Sequence, residues 1–100
     1  FMLNLNKYFD RSGFLNQNEK YNNYIKTVYA ILHETGGKML WRSTVHDQMV
    51  GNQEIDEIWA VWYPSHKAFW ELKDVPTAAN SFPLKRQVVE RAIIHRCDPY

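Results

Sequence analysis

Apolar and polar residues alternate from the first positions of the chain. Leu3 and Leu5 fall on one side, Met2, Asn4 and Asn6 on the other, a period of two that predicts a short strand. Asp10 to Gly13 reads as a loop. From about Asn18 to Thr35 the period lengthens. Tyr21, Tyr24, Ile25, Val28, Ile31 and Leu32 fall on one helical stripe, and Gly36-Gly37 ends it, the first glycine suiting a left-handed cap. Lys38 to Val50 alternates again, with Met39, Trp41, Ser43 and Val45 opposed to Leu40, Arg42, Thr44, His46 and Gln48. Gly51-Asn52-Gln53 supplies a turn of a few residues, and Ile55 to Tyr63 returns as a second strand of a hairpin. That strand is apolar on both faces, so it is central. Pro64 breaks it, Ser65 caps a short helix to about Lys73, a second short helix spans about Ser81 to Glu90, and Ala92 to Cys97 is a last strand.

The order is βαββαβ. It predicts one α+β domain over residues 1–100: a ferredoxin-like, four-stranded antiparallel sheet with its helices on one face. Right-handed crossovers are expected to pair the first and third strands in parallel at the sheet centre. Leu3 and Leu5 are the expected partners of the helix stripe. The Asn4 and Asn6 face then looks away from the helices, into a space closed by a second copy of the chain. A homodimer with its sheets face to face follows.

Composition sharpens this. Fifteen of 100 residues are aromatic, more rings than one small core needs, which points to an interface or a ligand pocket. Twelve basic against 11 acidic residues, net charge +1, argue against a nucleic-acid binder. The longest apolar run, Ile58 to Tyr63, falls far short of the roughly 20 residues that span a bilayer. With one cysteine, Cys97, and no basic, apolar leader at the start, a reducing, cytoplasmic setting is expected.

The opening Met2-Leu3-Asn4-Leu5, the helix with Tyr21 and Tyr24, Gly36-Gly37-Lys38-Met39-Leu40-Trp41, Val50-Gly51, Ile55-Asp56-Glu57-Ile58 and Tyr63-Pro64-Ser65 with Phe69 follow in order. Together they resemble a family of small bacterial domains of unknown function in the dimeric α/β-barrel superfamily. The likeness covers nearly the whole chain. His66 stands where that family usually has an arginine, and Lys85-Arg86 where it often has His-Arg. The resemblance implies a ferredoxin-like subunit and a dimer. Members of the superfamily include cofactor-free monooxygenases, isomerases, polyketide cyclases, dehydratases, haem-handling enzymes and sensor domains, so fold alone does not choose among them.

No zinc spacing or nucleophile elbow occurs, and Gly36-Gly37 follows a helix rather than opening one, the wrong context for a phosphate loop. No bound cofactor is expected, with haem held by a histidine as an alternative. The candidate constellation is borne on strands: Asn4 and Asn6 on the first, Arg42, Thr44 and His46 on the second, His95 on the last. His46 is the first choice for acid–base work because its ordinary pKa lies near neutrality. Arg42 would hold a carboxylate or an enolate-like oxyanion. Asn4, Asn6, Thr44 and His95 would orient a substrate between walls of Tyr24, Trp41, Trp59 and Trp62. Otherwise these polar groups satisfy one another across the dimer. A pocket between sheet and helices is the other placement, in which Tyr24, Trp41 and Trp59 matter most. Asp56, Glu57 and Asp74 read as solvated charges, and Arg86 with Glu90 as a helical i, i+4 pair.

The expected partners are a second copy and a small organic molecule, apolar or aromatic. The chemistry that fits is isomerisation, cyclisation or oxygen insertion by proton transfer; the rival is a non-catalytic sensing or interaction domain.

Overall fold

The opening alternation continues two residues further than the asparagines, through Tyr8, and this decides how the sheet faces its helices. The computed structural model describes residues 1–98. It contains β1 (Met2–Tyr8), α1 (Arg11–Leu15), α2 (Glu19–Thr35), β2 (Lys38–Thr44), β3 (Glu57–Trp62), α3 (His66–Trp70), a short 3-10 turn at Leu72–Asp74, α4 (Ala78–Val88) and β4 (Val89–Arg96). The strand order is β2-β3-β1-β4, every neighbouring pair antiparallel. This is a ferredoxin-like α+β fold.

The parallel pairing expected of the first and third strands is not formed: β1 and β3 are antiparallel. The crossover through α2 sets β1 parallel to β2, and the β2–β3 connection reverses the chain. A strand inserted between β1 and β2 must therefore oppose both. The connection is also longer than a hairpin turn, because β2 stops at Thr44 and β3 starts at Glu57. Within it Gln48 replaces the ladder. Its Oε1 accepts from the backbone N–H of Gln53 (2.7 Å) and Glu54 (3.1 Å), which closes the loop without strand pairing there.

Helix boundaries follow their caps. Asp10 accepts from the Gly13 N–H, and the segment read as a loop becomes the single turn α1. Asn18 caps α2 through the Tyr21 N–H (2.9 Å). Gly36 ends α2 at φ 75°, where Gly is favoured for want of a Cβ. Ser65 caps α3 through the Ala68 N–H (3.1 Å). Pro83 lies inside α4, which starts at Ala78 rather than at about Ser81. It removes one backbone donor, the one that would reach Ala79, while Ala78, Ser81 and Val88 on the same helix stay buried. As α4 ends at Val88, Glu90 belongs to β4 and pairs with Lys7 across the strands, not with Arg86.

Residues directly opposite one another in paired strands share a face. The helix-facing side carries two cross-strand rows, Arg42–Trp59–Asn4–Ile94 and Thr44–Glu57–Asn6–Ala92. The other side carries Trp41–Ala60–Leu3–His95 and Ser43–Ile58–Leu5–Ile93. The leucines therefore face away from the helices and the asparagines toward them, the reverse of the expectation. Tyr8 lies on the asparagine side of β1 and is the anchor. Its ring packs on Phe14 (4.9 Å) and Tyr21 (5.5 Å), while Trp59 packs on Tyr24 (6.2 Å). These five large rings outweigh two leucines in choosing the buried face. A register shift between Met39 and Trp41 also breaks the β2 alternation, so Met39 joins Arg42 on the core side and Trp41 faces outward.

Candidate functional site

The helix-facing rows bring together four of the polar residues singled out from the sequence, Asn4, Asn6, Arg42 and Thr44, with Trp59 among them and Tyr24 of α2 above. They lie between sheet and helices. They do not include His46, which follows β2 in the long connection, is exposed, and lines a separate cleft with Lys7, Arg11 and Asp56. His95 is exposed on the opposite side of the sheet, beside Leu3. Trp41 and Trp62 are also on that side, 49% and 40% exposed. Of the tryptophans on the middle strands, only Trp59 is in the core.

At one end of the helix-facing side is a buried carboxylate that patterning missed. Glu57 is 4% exposed. The Tyr8 hydroxyl donates to its Oε1 (2.6 Å), and the Tyr21 hydroxyl lies 2.8 and 3.0 Å from its two oxygens. Arg42 Nη1 donates to the Tyr21 oxygen (3.3 Å), and its guanidinium sits over the Tyr29 ring at 5.6 Å. Asp56, also buried, accepts from the Tyr8 N–H (2.7 Å) and from Arg11 (2.7 Å). Neither acid is the solvated charge that the sequence suggested. Burial pushes the phenols of Tyr8 and Tyr21 well above the usual tyrosine range, and the Glu57 carboxylate adds to the shift. Both therefore stay protonated and serve as donors. A polar cleft of about 250 Å³ opens over this group, between Phe14 and Ile25 on one side and Arg42, Thr44 and Glu57 on the other.

A second space, of about 270 Å³, lies between the sheet and α2, α3 and α4. Five aromatic rings line it, Tyr24, Trp59, Tyr63, Phe69 and Phe82, with Val28, Ile31 and Leu32 from α2. Its polar residues include Asn4, Ser81 and Lys85. Burial raises the Tyr63 phenol to about 12, and Tyr24 is raised further, with Glu57 contributing. Among the described residues, the indole N–H of Trp59 is buried without a hydrogen-bond partner, as is the side-chain amide nitrogen of Asn6. No histidine lines the cavity, so an axial ligand for haem is not placed there. Among the described residues no group of three or more His, Cys, Asp or Glu is arranged to hold a metal ion, and no helix is long and apolar enough to cross a membrane.

Similarity to solved structures agrees with the fold. A protein of unknown function from Rhodopseudomonas palustris matches 99% of this chain over 80% of its own, with TM-score 0.78 and 23% identity. The methylated form of that protein matches 99% of this chain and 78% of its own, with TM-score 0.77 and 22% identity. An Arabidopsis thaliana protein matches 99% of this chain over 93% of its own, with TM-score 0.64 and 14% identity. No family model and no curated protein matches the chain.

Proposed function

We propose that this chain is one subunit of a homodimer that binds a small apolar or aromatic molecule between its sheet and its helices. The observation that carries the reading is the cavity walled by five rings, with Asn4 and Trp59 at the sheet side. A ligand with an aromatic body would stack on those rings and remove their apolar surface from water. The dimer is supported by the open side of the sheet, where Leu3, Leu5 and Ile58 stand beside half-exposed Trp41 and Trp62. A second copy placed there removes that apolar surface from water.

A second reading, proton-transfer catalysis without a bound cofactor, is favoured by the polar cleft. Glu57, Tyr21 and Arg42 meet there, the groups that suit abstraction of a proton and stabilisation of an oxyanion. His46 stands outside this arrangement.

Calorimetric titration with naphthamide, an uncharged aromatic amide, tests the binding reading on protein whose mass in solution is measured alongside. The expected result is one ligand per chain at a mass of twice 11.9 kDa. Ser81→Phe, which fills the cavity from α4, should abolish binding with the circular dichroism spectrum retained. Unchanged binding in that variant would remove the cavity from the account, and an 11.9 kDa species would remove the dimer.

A further inference from the structure

One helix stripe of α4 faces the cavity: Ala78, Ser81, Phe82 and Lys85 stand at i, i+3, i+4 and i+7. Among the described residues, Lys85 is the one charged side chain lining the cavity. It is exposed, so it stands at the mouth, where its methylene stem can lie along the apolar wall while the ammonium stays wet. Among the described residues Lys85 makes no ion pair. Glu34, which joins α2 to α4, is engaged by the Thr77 hydroxyl at the other end of α4 (2.8 Å). A cavity that is apolar within and carries one cation, with no acid, at its mouth selects for charge as well as for shape.

We infer that the ligand is an amphipathic carboxylate whose apolar or aromatic body fills the cavity and whose carboxylate pairs with Lys85. This rests on the reading of the cavity as the binding site and adds the head group to it. The geometry orients the molecule. The body enters first, past Phe82 and Phe69, toward Trp59 and Tyr24, and the acid remains at the rim. An alcohol or amide of the same shape gains the burial but not the charge-assisted bond.

Titration of the full chain with naphthoate and with naphthamide separates these terms. Wild-type protein should hold naphthoate about tenfold more tightly than naphthamide. Lys85→Met should erase that preference, and Lys85→Glu should weaken naphthoate below naphthamide. Equal affinities in the wild type, or a preference that survives Lys85→Met, would overturn the carboxylate assignment while the cavity reading stands. Failure of both compounds to bind would remove the two together.

Discussion

The Glu57 carboxylate has exchanged water for two phenol hydroxyls, and that exchange explains why Tyr8 and Tyr21 sit where they do. A buried carboxylate is costly unless its oxygens accept strong hydrogen bonds. Tyr8→Phe keeps the ring stack and deletes one donor, so it should lower the unfolding free energy by about 1.5–3 kcal/mol in a urea titration. The same phenols set an alkaline limit. Their folded pKa values are raised above the ordinary 10.0, so the unfolded chain releases their protons first. Their contribution is whole below about pH 10 and is lost as pH rises above it, at up to roughly 1.4 kcal/mol per pH unit for each tyrosine. Urea midpoints from about pH 9 to about pH 12 should fall steeply for wild type and less steeply for Tyr8→Phe; equal slopes would show that Tyr8 titrates normally. None of this was readable locally. Asp56-Glu57 beside a turn looks like a solvated pair, and only the cross-strand partners Asn6 and Thr44 and the overlying rings reveal otherwise. What the sequence did offer was the step of two from Asn6 to Tyr8, which ties the asparagines to an aromatic anchor.

At the scale of elements, the strongest periodic signals carried over. The α2 stripe, its glycine cap and the βαββαβ order were legible because each rests on many residues in one pattern. Features that turn on one residue were not. The irregularity near Leu40 reverses which β2 side chains reach the core, and alternation alone cannot show an inserted residue. The long connection after Thr44 keeps a strand-like alternation through Gln48, yet Gln48 spends its amide on capping the loop. Pro83 sits inside α4, which absorbs it because Ala78, Ser81 and Val88 hold the buried face. The α1–α2 junction is equally dependent on one position. A Cβ at Gly13 would collide with the side chains of Asp10 and Asn18, the caps of the two helices. Gly13→Ala should therefore cost about 1–2 kcal/mol through a displaced cap, seen as a lowered Tm, despite the higher helix propensity of alanine. A Tm that rises would show that the caps move aside freely.

For the whole molecule, the inverted facing of β1 moves the candidate site from the open side of the sheet to the helix side. Composition alone marked the surplus of aromatic rings; the fold divides it. Tyr24, Trp59, Tyr63, Phe69 and Phe82 wall a cavity inside the fold, whereas Trp41 and Trp62 lie on the open side of the sheet. Asn4, Arg42, Thr44 and Trp59 come together on the helix-facing side, while His46 and His95 are left outside because one follows the end of β2 and the other faces the opposite way. The central claim is thus that ligand enters between sheet and helices. Chemical-shift mapping of backbone and indole N–H groups during a naphthamide titration tests it most directly. The largest shifts are expected at the Trp59 indole, with smaller ones along Tyr24, Val28 and Ser81. Shifts confined to the connection around His46, or to Leu3, Trp41 and Trp62 on the open side of the sheet, would contradict it.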